Sequence, residues 1–312
     1  MTMTYEQEES IGIPRPMTLG MDIKNLDGSL LAEKGAIFSN EFLNHLQSFN
    51  PTPKPFIAIN TISSLQRDLK QTFNDLPYSH IFQAKPVKDR LQKVMGETRL
   101  CPFVIEALNY FKEKDPYTYW HSLHVFLLTS HMALELIGPR EGKIKIASLG
   151  PLHDIGKVAI PLETLQKKTY LNWEELRCIK HHVFAGAVFL YYHQGSREPL
   201  GPKVALEHHE RVDGSGYPFS FPLANRTVEM IAICDVYDAL ISPRPYRSRA
   251  FDPRAALELL TEMALGGIFS LDLLRFMIAI HRREKGDYQS LSISLEKRGI
   301  PPEKSCYGQV RS

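Results

Sequence analysis

LHDIGK at residues 152–157 and HHERVDGSGYP at residues 208–218 are the stretches on which the reading of this chain turns. His153 and Asp154 stand side by side in the first, and His208 and His209 repeat that adjacency in the second. His121 lies upstream, His182 between the two stretches and Asp235 beyond them. A single histidine in a helix is ordinarily packed or solvated. Five imidazoles and two carboxylates, each beside an apolar stripe, exceed the needs of one ion and point to two ions sharing a bridging carboxylate. Imidazole with carboxylate suits first-row divalent metals such as iron, manganese or zinc. No cysteine joins the set, which argues against a thiolate zinc clip.

Periodicity supports the inward placement. His121 shares a helical face with Val125 and Leu128, at i+4 and i+7, and Asp235 has Ile231 behind it at i−4. His153 is expected at a helix end on the face of Leu149 and Ile146, with the chain turning at Gly156. His208 and His209, read as helical neighbours, would point about 100° apart and serve different ions. Burying so many ionisable groups costs several kcal/mol each unless they are paired or coordinated, roughly 2 or more.

Working outward, the first 60 residues alternate short segments with glycine and proline. Asp27-Gly28 between two apolar triplets predicts a hairpin, and Ser39 predicts the start of a short helix. Prolines 51, 53 and 55 predict a boundary. The expected organisation is a small α+β unit at residues 1–60, a helical linker at 61–100, a metal-dependent domain at 101–290 and a tail at 291–312. From Pro102 onward the pattern is helix after helix, including a capping box opened by Asn172 and closed by Glu175. The fold class is therefore mainly α, a helical bundle preceded by the small α+β domain.

Composition narrows the function. The chain has 312 residues, 43% of them hydrophobic and 23% charged, with a formal charge of +2. So small a charge disfavours bulk electrostatic binding of a DNA or RNA polymer. Cys101, Cys178, Cys234 and Cys306 show no metal or redox spacing, as in a reduced, cytoplasmic protein. The polar, acidic N-terminus does not read as a secretory signal. The longest apolar run, residues 183–192, falls well short of the ~20 residues that span a bilayer, so membrane insertion is not expected.

LHDIGK, HHERVDGSGYP and DVYDAL (residues 235–240) together resemble the HD-GYP family of HD-superfamily phosphodiesterases. Supporting matches are DPYTYWHSLHV (115–125), IKHHVFAG (179–186) and RPYR (244–247), in the family's order. MTLGMDI and DGSLLAEKGAIFS near the N-terminus resemble a small domain found upstream in such proteins. The resemblance implies an all-helical catalytic domain that hydrolyses cyclic di-GMP at a binuclear metal centre, by attack of a metal-bridging hydroxide. It implies His121, His153, Asp154, His182, His208, His209 and Asp235 as metal ligands, with Asp154 as the bridge. Asp154 and Lys157 are the implied catalytic residues. Lys157, Tyr217, Arg244 and Arg247 are the implied substrate contacts. Asp238 and Asp213 are candidates for orienting ligand histidines. Iron is the first choice of metal, with manganese or zinc next, and signalling proteins are possible partners.

The chain also departs from the family pattern. Tyr117 stands where some members carry a glutamate that admits a third ion, so two ions are expected. Gly150-Pro151 replaces the usual residues before the HD pair, His124 replaces a common arginine, and residues 219–223 make a short loop after GYP. These departures motivate an alternative: a catalytically weak module that binds metal and nucleotide and acts through partner proteins. A third possibility, an HD phosphohydrolase of mononucleotides, sits poorly with the GYP and RPYR segments. His181 beside His182 lacks the family's spacing to Gly186, and His45, His80, His131, His193 and His281 match no ligand position, so most are expected at the surface.

Overall fold

Apolar residues fill every side of three helices, and those helices form the centre of the molecule. The structure, a computed structural model, describes residues 12–302 other than 51, 76, 83, 196–198, 244–248, 283–287, 289, 290 and 295. The chain runs β1 (Met17–Thr18), β2 (Ile23–Lys24), β3 (Leu30–Ala32), β4 (Ile37–Phe38), α1 (Asn40–Ser48), β5 (Ile57–Ala58), α2 (Ser63–Thr72), α3 (Ser79–Phe82), α4 (Lys85–Glu97) and β6 (Arg99–Leu100). It continues with α5 (Pro102–Lys114), α6 (Pro116–Leu136), α7 (Arg140–Leu149), α8 (Leu162–Leu165), α9 (Trp173–Lys180), α10 (His182–Gln194), α11 (Leu200–Glu207), α12 (Arg226–Ile241), α13 (Pro253–Leu265) and α14 (Leu271–Ile280). The fold is mainly α. No helix among the described residues is long and apolar enough to cross a membrane.

The central helices α6, α10 and α12 carry His121, His182 and Asp235 respectively, and nearly every residue of α12 is buried. A helix apolar on all faces must be covered on all faces. Helix α6 accordingly packs against α5, α7 and α12, while α10 packs against α1, α11 and the turn after Asp154.

Residues 12–50 hold two antiparallel strand pairs, β1 with β4 and β2 with β3. The β2–β3 turn places Gly28 at φ 85°, and Asp27 Oδ1 accepts from Ser29 N at 2.9 Å. Ser39 caps α1 by accepting from Phe42 N, so both local expectations hold. Strands β5 and β6 join residues 57–58 to residues 99–100. The side chain of Phe38 is fully buried and stands edge-on to Phe184 of α10, with ring centres 5.1 Å apart.

Several boundaries differ from the sequence reading. Pro86 lies in the first turn of α4, where its missing N–H costs nothing. Helix α7 stops at Leu149 and gives way to a 3-10 turn, Gly150–Leu152. A Cβ at Gly150 would lie 2.8 Å from Phe126 Cα, so close approach to α6 sets this turn. Helix α11 ends before His208. Among the unmatched histidines, His45 and His80 are exposed, but His131 is fully buried, against expectation.

Candidate metal centre

The candidate ligands reach the centre from several supports. His121 projects from α6, where its Nδ1 lies 2.5 Å from Asp238 Oδ2. His153 follows the 3-10 turn and donates from Nδ1 to Gly150 O at 2.8 Å. His182 opens α10 and donates from Nδ1 to Ile179 O at 2.6 Å. His208, just past α11, donates from Nδ1 to Val204 O at 3.0 Å and Ala205 O at 3.1 Å. A carbonyl only accepts, so these bonds fix the proton on Nδ1 and leave the Nε2 lone pair for the centre.

Those Nε2 atoms converge. His153 and His121 approach to 3.1 Å, and His182 and His208 to 3.4 Å. Between them lies Asp154, whose two oxygens face different pairs. Its Oδ2 is 3.4 Å from Nε2 of both His121 and His153. Its Oδ1 is 3.5 Å from His182 Nε2 and 3.9 Å from His208 Nε2. Asp235 Oδ1 stands 3.1 Å from His121 Nε2. Two groups result, Asp154-His182-His208-His209 and His121-His153-Asp235, each with ligand atoms within 4.8 Å of one another. Lone pairs aimed at each other at such distances repel unless a proton or cation lies among them, and the buried, unbonded Oδ2 of Asp235 adds another acceptor. The donor set therefore fits divalent metal ions.

Electrostatics agree with the geometry. Burial pushes His182 down to about 4, and holds His208 and His209 well below the ordinary histidine range, so they stay neutral as ligands must. Burial opposes ionisation of Asp154, yet Lys157 and the imidazole of His153 hold it well below the usual carboxylate range. Burial likewise works against His121, but Asp238, Asp154 and Asp235 raise it well above the ordinary value. A proton can thus take the place a cation would fill.

Local sequence explains the crowding. A Cβ at Gly156 would lie 1.9 Å from His182 O and 2.4 Å from Gly186 N. Only a glycine at 156, facing Gly186, lets the turn after Asp154 pack this closely on α10 and bring Asp154 beside His182. Lys157 follows on the same turn, its Nζ 2.5 Å from Asp154 Oδ2.

Tyr217 lies at the rim, its ring stacked on His209 with centres 4.5 Å apart and Lys180 Nζ 4.6 Å from its centre. Gly216 passes so close to His209 O that a Cβ there would be 2.3 Å away. Tyr117 stacks parallel to His121 at 5.9 Å. Arg244 and Arg247 lie outside the described residues.

Asp238 lies against His121, as an orienting role requires, while Asp213 has a different place. Asp238 is fully buried and takes the hydroxyl of Tyr78, the ring of His124 at 3.1 Å and Ser242 Oγ at 3.1 Å besides His121. Asp213 is exposed and instead closes a turn by accepting from Ser215 N at 3.0 Å. Arg211 donates to the carbonyls of His208 and Glu210. Sequence reasoning missed Glu210, a buried carboxylate that accepts from Phe219 N at 2.6 Å and Ser220 N at 3.2 Å. Its signal was its place, between two histidines and a glycine-rich loop full of backbone donors. His181 is buried but belongs to neither ligand group.

Comparison with known proteins gives consistent results. The HD domain family matches residues 89–268. The cyclic di-GMP phosphodiesterase PA4108 of Pseudomonas aeruginosa is 32% identical over 259 residues, 77% of this chain and 60% of that protein. A cyclic di-GMP phosphodiesterase of Thermotoga maritima is 34% identical over 212 residues, 64% of this chain and 56% of that protein. The 3'3'-cGAMP-specific phosphodiesterase 1 of Vibrio cholerae is 31% identical over 219 residues, 68% of this chain and 46% of that protein. The chain thus spans 60% or less of the length of these three relatives.

Proposed function

The chain belongs to the HD domain family, with the HD and GYP motifs in place, and on that premise we propose that it is a metal-dependent phosphodiesterase acting on a cyclic dinucleotide, cyclic di-GMP first. One observation carries the reading: Asp154 turns its two oxygens to two separate imidazole pairs, with Asp235 beside one pair and His209 grouped with the other. The proposed ligands are His121, His153 and Asp235 for one ion, His182, His208 and His209 for the second, and Asp154 for both. Iron is preferred, with manganese and zinc as substitutes, because imidazole-rich sites with a carboxylate bridge suit all three.

Two bound divalent ions supply a nucleophile at neutral pH and positive charge beside the phosphoryl oxygens. The protein's own groups do the rest. Lys157, with a side chain 15% exposed beside Asp154, presents an ammonium to the phosphate and stabilises the charge that builds during in-line attack. Arg244 and Arg247 are the proposed further contacts to phosphate or guanine. Tyr217, fixed on His209, shapes the rim on which the substrate rests. The proposed site of the reaction is the cytoplasm.

The test is oxygen-free purification with iron or manganese supplied, followed by incubation with cyclic di-GMP and, separately, 3'3'-cGAMP. Linear dinucleotide or mononucleotide from cyclic di-GMP supports the proposal. Faster hydrolysis of 3'3'-cGAMP would reassign the substrate. Tight binding of either without product would favour the regulatory module.

A further inference from the structure

Phe219 is held by its backbone from two sides. Its N–H donates to Glu210 Oε1 at 2.6 Å, and Glu210 directly follows His209. Its carbonyl accepts from Arg15 Nη2 at 2.9 Å, from a residue 204 positions away in sequence. The ring of Phe219 is buried and stands edge-on to Phe184, at 6.3 Å. Phe184 follows His182 by two residues and itself meets Phe38 of β4. The N-terminal segment therefore reaches the GYP loop directly through the Arg15 side chain and, by way of Phe184, through Phe38.

Ser220 adopts φ 56°, a left-handed conformation that a non-glycine residue takes up at a cost. Ser220 Oγ donates back to Gly216 O at 2.9 Å, so the position of residue 220 is transmitted to the glycine packed on His209. Arg15 is exposed and stands just before β1, outside both ligand groups.

We propose that Arg15 is a positioning residue: by holding the carbonyl of Phe219 it fixes the GYP loop against His209, and so makes the N-terminal strands part of the substrate-binding rim. This rests on the phosphodiesterase reading for its kinetic consequence, but not for its structural one. A charged hydrogen bond near the surface is worth a few-fold in an equilibrium, about three- to tenfold.

The full-length chain with Arg15→Ala, and with Arg15→Lys as the conservative variant, tests the proposal by two readouts. Hydrogen exchange at the amides of residues 216, 217 and 219–221 is expected to quicken by about three- to tenfold in Arg15→Ala and to recover in part in Arg15→Lys. KM for the cyclic dinucleotide is expected to rise by a similar factor, while kcat/KM for bis(p-nitrophenyl) phosphate, too small to span the loop, stays unchanged. Unaltered exchange overturns the proposal, as does a parallel loss on both esters. If the wild-type protein hydrolyses neither ester, the phosphodiesterase reading fails, and the exchange measurement alone then decides the role of Arg15.

Discussion

Asp238 Oδ2 lies 2.5 Å from Nδ1 of His121, while Nε2 of the same ring points to Asp235, Asp154 and His153. One buried carboxylate thus sets which nitrogen of His121 faces the metal centre. Partners of this kind typically contribute 10–100-fold, about 1.4–2.7 kcal/mol, to metal affinity. Asp238→Asn is expected to weaken metal binding by about that factor while far-UV circular dichroism stays the same. Competition against a chelator of known affinity measures it.

Tyr78 donates its hydroxyl to the other oxygen of Asp238, from a segment 160 residues away. Tyr78→Phe removes one hydrogen bond to a charged group without removing the ring. The expected cost is about 1.5–3 kcal/mol of folding stability, read by urea denaturation.

Lys157 touches Asp154 without belonging to either ligand group. Lys157→Met is expected to keep both ions and to lower kcat by roughly 10²-fold, the range for losing one preorganised cation or donor. Metal analysis alongside initial rates separates the two effects. Loss of metal together with rate would assign Lys157 to assembly of the centre instead.

Gly156→Ala is expected to be severe. Its Cβ would meet His182 O at 1.9 Å, and both atoms are backbone-fixed. The loss should exceed ~3 kcal/mol, beyond ordinary overpacking, and thermal unfolding measures it.

These contacts show what the sequence made legible and what it hid. The Asn172–Glu175 capping box and the Asp27-Gly28 turn depend on residues within a few positions, and the structure has both as read. The inward face of His121 followed from helical period alone. The 3-10 turn before His153 did not, because it answers to the backbone of Phe126 on another helix. His208 and His209 were read as helical, but α11 ends at Glu207 and the pair occupies the turn beyond. Glu210 and the buried His131 escaped for a related reason: polar residue types say little about burial when their partners are distant.

His281 gives a pH dependence. Burial pushes it down to about 3, with Nδ1 donating to Met277 O at 2.7 Å and Nε2 2.6 Å from Tyr237 Oη. An unfolded chain protonates this histidine near its ordinary 6.5. Between those values the unfolded state binds more protons, so stability is fully present above pH 6.5 and is lost as the pH falls toward 3. Chelator-treated His281→Gln should therefore show a shallower fall in denaturation midpoint between pH 7 and pH 5 than the chelator-treated wild type. Identical slopes would contradict the assignment.

The most direct measurement is the metal content per chain of wild type and Asp154→Asn, each prepared without oxygen and loaded with iron or manganese. Two ions in the wild type, and one or none in a variant that keeps its helical content, is the predicted result. Two ions retained in Asp154→Asn, or none bound by the wild type, would contradict a centre bridged by that carboxylate.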